Sequence, residues 1–353
     1  MKEFDEVFVD KTKYGTKLKT SDYKECGKYP IIDQGQETIA GYTDAEDGVF
    51  KEVPVIIFGD HTRVIKYVDK PFFLGADGVK VLRSKYLDAN YRYLFYALLD
   101  LKIPNTGYNR HFKWLKEAKI QYPTLKQQEK VVGILDKIEK VIAARNKQLN
   151  ALDELIQARF VELFGDPTIN TKKYPLKLLP EIAEYWNGLT YKPDDVADKG
   201  TIVLRSSNIQ NMTLDFEDIV RVNCKIGEKK YVHENDILMC SRNGSARLVG
   251  KVALIKNIEE PMSFGAFMLI IRSAYYPYLM TYFQMPAFRA QIVTGATTTI
   301  NQITGRMLDN VKLPVPDMYV VNQFADFVNQ VNKSKLVIKN LLQIYKYQIQ
   351  MRK

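Results

Sequence analysis

Two long stretches of the chain repeat apolar side chains at alternating steps of four and three residues. This spacing is typical of a coiled-coil seam rather than of the broader apolar stripe on a domain-surface helix. The first stretch runs from Leu125 to Phe164 and the second occupies the C-terminus. We predict as seam positions Val131, Leu135, Ile138, Ile142, Leu149, Leu152, Ile156, Phe324, Val328, Val331, Ile338, Leu342, Tyr345 and Ile349. Subtraction of matched positions (324−131, 342−149, 349−156) gives 193 each time, so the same pattern occurs twice in the chain.

The repeat continues into the segments that precede both stretches. Lys119-Ile120 and Pro123 are matched by Lys312-Leu313 and Pro316, and farther back the offset between similar segments drifts to 190 and 185. Insertions in diverging loops would cause such drift. We therefore predict a tandem duplication of a globular head followed by a long helix.

Each predicted head is rich in short strands. Apolar or alternating runs are separated by Gly, Asp and Pro, which is typical of strands joined by turns. The predicted strands are Tyr29–Ile32, Val53–Phe58, Val64–Val68 and Val79–Leu82 in the first head, and Ile202–Arg205, Ile237–Cys240, Val252–Ile255 and Phe267–Ile271 in the second. A helix is predicted from about Tyr86 to Leu101, and another from about Tyr276 to Val293 with an interruption near Pro286.

The pattern predicts an α+β fold with four segments. Two tandem strand-rich α/β heads, residues 1–122 and 165–315, alternate with two long helices, residues 123–164 and 316–353. Gly165-Asp166-Pro167 supplies residues through which a helix does not continue, and so marks the boundary after the first helix. If the helices pair along matched seams they run antiparallel, with a pseudo-twofold relation between the copies.

The predicted helix pair is long enough to act as a spacer. The seam from Val131 to Leu163 covers 32 residues, or about 48 Å at roughly 1.5 Å per residue. One turn of duplex DNA is about 34 Å long. Two basic heads on such a spacer would read two short sites separated by unread base pairs.

Composition narrows the range of partners. The chain has 353 residues, a formal charge of +10 and a pI of about 9.1, a balance that favours a polyanionic partner. Cys26, Cys224 and Cys240 are too widely spaced for a zinc site and indicate reduced thiols. The N-terminus carries acidic residues where a signal peptide needs an apolar run, and the most apolar stretch, Phe264 to Phe283, contains Arg272 and Pro277. We expect a cytoplasmic protein with no membrane partner.

The sequence contains no recognisable catalytic motif. Neither a Walker-type loop, GxGxxG, HExxH nor the tetrapeptide of adenine methyltransferases is present, and His61, His111 and His233 are isolated. We expect no catalytic residue, metal site or cofactor in this chain. A cryptic nuclease would need carboxylates clustered around a metal.

Two matched pairs of loops have the composition of nucleic-acid contacts. Gly59–Arg63 and Ser241–Arg247 each follow a buried strand and place Arg and small polar donors at its end. Tyr108–Lys113 and Thr298–Gln302 form the second pair, in which Asn and Gln could read adenine. The alternatives are an ordinary hairpin turn for the first pair and helix caps for the second. The predicted DNA-binding residues are His61, Thr62, Arg63, Tyr108, Asn109, Arg110, His111, Lys113, Arg242, Asn243, Ser245, Arg247, Thr298, Asn301 and Gln302, with Ser206 and Asn208 as weaker candidates.

Charged side chains interrupt both seams. Arg145, Arg159 and Lys335 occupy seam positions. They either extend along an exposed part of the seam with their charges in water, or fix the register and mark where a partner inserts. A coiled-coil scaffold whose heads bind proteins is the alternative to a DNA-binding function.

Four segments accompany the duplicated plan: Tyr122-Pro-Thr-Leu-Lys-Gln-Gln-Glu129 at the start of the first helix, Phe160-Val-Glu-Leu-Phe-Gly-Asp-Pro167 at its end, Tyr29-Pro-Ile-Ile with Ala40-Gly-Tyr42, and Gly200 to Ile209. In these segments and in the duplicated plan the chain resembles, over essentially its whole length, the DNA-specificity subunit of type I restriction–modification systems. The start of the second helix, Val315 to Gln323, departs from the family pattern.

The resemblance implies a non-catalytic reader of DNA. In this family each target-recognition domain binds one half of an asymmetric bipartite sequence in double-stranded DNA, and the paired helices set the spacer. The helices also dock two methyltransferase subunits, and restriction subunits complete the assembly. S-adenosylmethionine, ATP and Mg²⁺ are accordingly expected in the partner subunits, and none in this chain.

Overall fold

The computed structural model describes residues 1–75, 77–107, 109–292 and 302–351, the last six by backbone alone. The helices are α1 Phe4–Val7, α2 Tyr91–Leu99, α3 Phe112–Lys116, α4 Leu125–Phe164, α5 Tyr276–Tyr282, α6 Pro286–Ile292, α7 Gly305–Asp309 and α8 Met318–Met351. Strands up to α4 are β1 Lys2–Glu3, β2 Phe8–Asp10, β3 Tyr29–Ile32, β4 Gly41–Thr43, β5 Val55–Gly59, β6 Ile65–Val68, β7 Phe73–Leu74, β8 Val79–Ser84 and β9 Lys119–Ile120. Strands after α4 are β10 Leu176–Leu178, β11 Glu184–Asn187, β12 Val196–Leu204, β13 Ile209–Gln210, β14 Thr213–Leu214, β15 Arg221–Val222, β16 Ile237–Cys240, β17 Val252–Leu254, β18 Met262–Phe264, β19 Met268–Arg272 and β20 Lys312–Pro314.

The chain divides into two compact units. The first unit comprises residues 1–146 and 339–353, and the second comprises residues 147–338. One boundary between the units lies within α4 and the other within α8. Each unit therefore contains one head and part of each long helix.

The two heads share one sheet topology. A four-stranded sheet has the order β2-β8-β5-β6 in the first unit and β11-β19-β16-β17 in the second. A three-stranded sheet has the order β4-β3-β7 or β15-β12-β18, and in both its central strand is antiparallel to one neighbour and parallel to the other. The short antiparallel pairs β1-β9 and β10-β20 also correspond. This agreement confirms the predicted duplication and the α+β class.

Each head is built around a core between its four-stranded sheet and its short helices. In the first unit this core contains the fully buried Phe4, Phe58, Leu94 and Leu115. In the second unit it includes Tyr278 and Phe288 and extends to Phe160 and Phe324 on the long helices. Head and helix therefore share one core in the second unit.

Local signals define the ends of the first long helix. Thr124 precedes α4, and its N–H and hydroxyl donate to Gln127 Oε1 at 3.1 and 2.9 Å. This is half of a capping box. Gly165, with φ +74°, follows the last helical residue in the left-handed conformation that ends many helices. The helix spans Leu125–Phe164, as the heptad pattern predicts.

In the second unit the long helices pack antiparallel. Phe160 and Phe164 of α4 contact Phe324 near the start of α8, with ring centroids 5.7 and 5.2 Å apart. Farther along α8, Lys335 forms an ion pair with Asp153, which lies earlier in α4. Every predicted seam position whose side chain is described is buried or half-buried, and Ile349 lies in the part described by backbone alone.

Several predicted boundaries are corrected by the structure. The helix expected from Tyr86 begins at Tyr91, because Asn90 caps it by accepting from the Tyr93 N–H at 3.0 Å, and it ends at Leu99. The second-head helix is interrupted as predicted, into α5 and α6. Strands β2 and β11 were not predicted, because neither has a clear alternation of apolar residues. Of the helices described, none has the length and apolarity needed to cross a membrane.

Candidate nucleic-acid interface

The second unit contains a cleft of about 1030 Å³ beside the carboxyl ends of its parallel strands. Strands β12 and β18 are parallel, so Leu204 and Phe264 lie side by side and the loops that follow them emerge at one edge. Cys240, at the end of β16, pairs with Met268 of β19 at the same edge. Three loops from separate parts of the sequence thus form one concave surface.

The first wall of the cleft is the turn after β12. The side chain of Asn208, 1% exposed, accepts from the Arg205 N–H at 2.8 Å and donates to the Asp215 and Asp218 carbonyls at 2.9 Å each. Its polar atoms are thereby used within the protein. Asn208 holds the wall in place and does not present its side chain to a ligand.

The second wall is the loop after β16. Exposed Arg242 lies over the ring of Phe267, with its guanidinium carbon 5.4 Å from the ring centroid. Asn243 Nδ2 donates to Ser206 Oγ at 3.1 Å, which joins this loop to the first wall. Three predicted DNA-binding residues, Ser206, Arg242 and Asn243, therefore line one cleft.

A close backbone approach forms the third side of the cleft. The Leu189 N–H donates to the Phe264 carbonyl at 2.6 Å, and a Cβ on Gly188 would lie 2.1 Å from the same oxygen. Only glycine allows this contact. The contact brings Tyr191, three residues along the chain, to the rim of the cleft.

An ion pair crosses the cleft lining. Arg205 Nη2 lies 2.8 Å from Asp218 Oδ2, and both residues line the cleft. Both side chains are partly open to solvent, at 35% and 64% of their accessible surface. The cleft therefore contains two arginines, one of which is already paired with a carboxylate.

At the equivalent edge of the first unit, Gln34 joins two neighbouring loops. Its side chain accepts from the His61 N–H at 3.1 Å and donates to the Asp77 carbonyl at 2.8 Å, and its carbonyl accepts from Thr62 Oγ1 at 2.6 Å. Arg63 adopts φ +62° and donates to the Ile103 carbonyl at 3.2 Å. His61, Thr62 and Arg63 thus form a braced loop after β5.

The loop before α3 presents polar residues on its surface. Asn109, Arg110 and Lys113 are exposed. His111 is fully buried, with its N–H donating to the Asp60 carbonyl at 2.7 Å and Nδ1 lying 3.0 Å from the same oxygen. The structure thus corrects the prediction for His111, whose ring supports the loop because it packs beneath it.

The remaining predicted residues separate into two groups. Ser245, Arg247 and Gln302 are exposed but do not line the cleft, although Arg242 and Gln302 form a backbone bridge. Tyr108, Thr298 and Asn301 lie outside the described residues. Contact with DNA stays a prediction for the exposed members of the set.

Sequence reasoning missed several residues at these edges. Arg205, Tyr191, Asp218 and Phe267 line the cleft, and Gln34 joins two loops at the corresponding edge of the first unit. Arg205 could have been found because it directly follows a buried strand. Phe267 is the first residue of the predicted strand Phe267–Ile271, but the strand begins at Met268 and Phe267 is 60% exposed.

The chemistry of the described side chains at the cleft is that of a binding surface. Burial raises the pKa of the Cys240 thiol, which keeps it neutral and unreactive. In the described part of the chain, no three His, Cys, Asp or Glu side chains are placed to hold a metal. Guanidinium, amide and aromatic groups at a strand edge match the chemistry of phosphate and base contacts.

Comparison with known proteins relates both sequence and fold to one family. Residues 1–154 match the family model for the type I restriction modification DNA specificity domain. The chain is 24% identical over 344 residues to the EcoR124I/EcoR124II type I restriction enzyme specificity subunit of Escherichia coli, covering 90% of this chain and 82% of that protein.

Two solved structures share the fold. The type I restriction–modification S subunit from M. genitalium aligns with a TM-score of 0.55 at 16% identity, over 99% of this chain and 93% of that one. A chain from a structural study of complex assembly and conformational transition in the type I system gives the same TM-score at 17% identity, with the same coverage.

Proposed function

We propose that this chain belongs to the type I restriction–modification specificity-subunit family and reads a bipartite asymmetric DNA sequence with one head per half-site. The family gives it a role in DNA sequence specificity. The bipartite reading rests on the duplicated heads, and the spacing role rests on the two long helices.

The observation that carries the proposal is one scaffold with two different sets of loops. The sheets of the heads have the same strand order. The edge beside β12 and β18 forms a cleft with Arg205 and Arg242, whereas at the edge beside β3 and β7 the Gln34 side chain bonds to the loops after β5 and β7. Loops on a rigid scaffold determine what a domain binds. Equal scaffolds with unequal loops suit an asymmetric target.

We further propose that the chain is non-catalytic and acts in the cytoplasm with partner subunits. The long helices would dock two methyltransferase subunits, and two restriction subunits would complete the assembly. S-adenosylmethionine, ATP and Mg²⁺ would bind those partners. This chain would then read the DNA and the partner subunits would carry out catalysis.

A methylation assay tests the proposal. The chain is co-expressed with a type I methyltransferase subunit from the same genome, and a random DNA library is methylated and sequenced. We expect modified adenines within one gapped, asymmetric motif, and no modification by the methyltransferase alone. Unpatterned methylation, or methylation that does not need this chain, would contradict the proposal.

Binding as a function of salt separates DNA recognition from the scaffold alternative. Phosphate contacts release counterions, so affinity for a duplex should fall steeply between about 50 and 200 mM salt. A scaffold whose heads bind proteins would show no such dependence on a DNA probe.

A further inference from the structure

We infer that Asp218 competes with DNA phosphate for Arg205 and so weakens binding to non-target DNA. The inference rests on the proposed function and concerns how the second head discriminates among sequences. Its basis is the 2.8 Å ion pair between Asp218 Oδ2 and Arg205 Nη2 in the lining of the cleft.

Hydrogen bonds of the buried Asn208 side chain hold the backbone at both partners of the ion pair. Buried Asn208 accepts from the Arg205 N–H and donates to the Asp218 carbonyl, so one side chain positions both backbones. The second Asn208 donor bond, to the Asp215 carbonyl, holds the start of the same loop. The carboxylate therefore stays beside the guanidinium in the absence of any ligand.

The guanidinium retains unused bonding capacity. Asp218 engages Nη2, and among the described residues the buried Arg205 Nε has no hydrogen-bond acceptor. The Arg205 side chain is 35% exposed. A ligand with several acceptor oxygens, such as a phosphate, can therefore approach the part of the guanidinium that the single carboxylate leaves open.

The energetics suit a competitor that can be displaced. An ion pair as exposed as this one contributes little to stability, so a well-placed phosphate can replace the carboxylate. A duplex bound out of register places no phosphate at Arg205, so the ion pair with Asp218 stays intact and this arginine adds nothing to the binding. Competition of this kind lowers non-specific affinity and raises the ratio of specific to non-specific binding, which determines selectivity in a genome.

The test compares Asp218→Asn with Glu217→Gln in the full-length chain bound to its methyltransferase partner. Glu217 is an exposed neighbour in the same loop, lies outside the cleft lining and has no ion pair within the described residues, so its substitution controls for the change in net charge. Binding to a random-sequence duplex is measured across a salt series. Circular dichroism confirms that each variant is folded.

We expect Asp218→Asn to tighten binding to the random duplex about three- to tenfold, with a salt slope steeper by about 1, and Glu217→Gln to have a smaller effect. In an Arg205→Ala background, Asp218→Asn should gain no more than Glu217→Gln. The inference would be overturned if Asp218→Asn and Glu217→Gln changed affinity for the random duplex equally. It would also be overturned if Asp218→Asn tightened binding just as much in the Arg205→Ala background.

The outcomes also separate this inference from the proposed function. Wild-type protein that binds duplex DNA with a normal salt slope, but is unaffected by Asp218→Asn, refutes the competitor and leaves the DNA reader intact. Wild-type protein without salt-dependent DNA binding refutes both.

Discussion

Polar residues in the recognition loops divide into those that face solvent and those that hold the loop. Asn208 and His111 have residue types suited to DNA, but their side chains are buried and bonded to backbone groups. Arg242 and Asn109 are exposed. Position relative to the strand end does not separate the two groups, because both occur within a few residues of each other.

Arg242 is the residue at which a substitution should alter sequence preference most directly. Its guanidinium lies over Phe267 in the cleft, which restricts its motion before DNA binds. If it reads a base, Arg242→Ala should cost about 1–3 kcal/mol of binding and relax one position of one half-site. The motif from the methylation assay measures this.

Arg247 provides the comparison for that experiment. It is exposed in the same loop but lies outside the cleft lining. Arg247→Ala should leave the motif unchanged if Arg242 is the base reader. A relaxed position in the Arg247 variant alone would reverse the assignment.

Gly188 should tolerate no side chain. A Cβ there would lie 2.1 Å from the Phe264 carbonyl oxygen and 2.3 Å from that of Gly265. We expect Gly188→Ala to force the cleft wall outward, cost roughly 1–3 kcal/mol of stability and weaken DNA binding. Gly265→Ala is the control, since its Cβ would meet ordinary contacts at 3.7 Å. Similar melting temperatures for both variants would contradict the steric argument.

At the scale of elements, an ionic and aromatic cluster joins α2 to α4 in the first unit. Arg92 Nη2 lies 2.7 Å from Asp136 and 2.9 Å from Glu139, and the Tyr96 hydroxyl donates to Asp136 at 2.7 Å. The Arg92 guanidinium also lies over the ring of Tyr67. These contacts determine how the first head is attached to the long helix.

This cluster should make the first unit sensitive to acid. Burial opposes ionisation of the Asp136 carboxyl, but hydrogen bonds from Tyr96 and Arg92 outweigh it and lower its pKa. A lowered pKa stabilises the fold above the unfolded value of about 4, and this stability is lost as pH falls through the folded value. Asp136→Asn should flatten the decline in melting temperature below about pH 4. If the melting temperature of Asp136→Asn declined below about pH 4 as steeply as that of the wild type, this role would be contradicted.

Aromatic packing joins the long helices to the second head. Phe160 and Phe164 of α4 each contact Phe324 of α8 and Tyr278 of α5, with the Phe160 and Tyr278 rings stacked at 5.2 Å. All four side chains are almost fully buried. The contact makes the end of α4 and the start of α8 part of the head's core.

Removal of one ring should reveal this coupling. Phe324→Ala should lower stability by about 3–5 kcal/mol, because the large ring leaves a cavity in a packed core. Tyr319→Ala on the same helix, at a side chain 72% exposed, should have little effect. Thermal unfolding of both variants checks the difference, and comparable losses would show that packing of this cluster is not the cause.

The charged seam positions do not all behave alike. Lys335, whose side chain is 15% exposed, forms an ion pair with Asp153 on the facing helix. Arg159 pairs with Glu162 of its own helix at 2.8 Å and lies over Phe327. The contact of Lys335 favours a role in helix register, whereas Arg159 extends over an aromatic ring at the seam.

At the scale of the whole molecule, the duplication separates scaffold from specificity. Sheet order and the long helices are repeated, but the loops at the strand edges differ. Such an arrangement permits the loops of one head to change without altering the other head or the long helices.

The spacer role predicts the effect of helix length. Insertion of one heptad into both α4 and α8, at matched seam positions, preserves the seam and adds about 10 Å at roughly 1.5 Å per residue. The gap in the methylated motif should lengthen while both half-sites stay the same. Insertion into one helix alone is the control and should impair folding or activity. Changed half-site sequences would contradict the spacer role.

The sequence alone determined the repeated architecture. Heptad spacing and the offset of 193 residues identify both long helices. A helix presents the same face at a fixed interval of residues, and this interval is visible in the sequence. The buried strands β5, β8, β16 and β19 were likewise readable as apolar runs between turn residues. Candidate loops followed from their positions after those strands.

Only the tertiary structure decided which polar residues share a site. Arg205, Arg242 and Phe267 come from three separate loops, and they meet because β12 and β18 are parallel and β16 ends beside β19. Other features also depend on contacts between segments that are distant in sequence. They are the burial of Asn208 and His111, the bonding of Gln34 at the first edge, and the pairing of Arg205 with Asp218. Periodicity is a local property and is visible in the sequence, whereas a cleft is formed by long-range packing and is not.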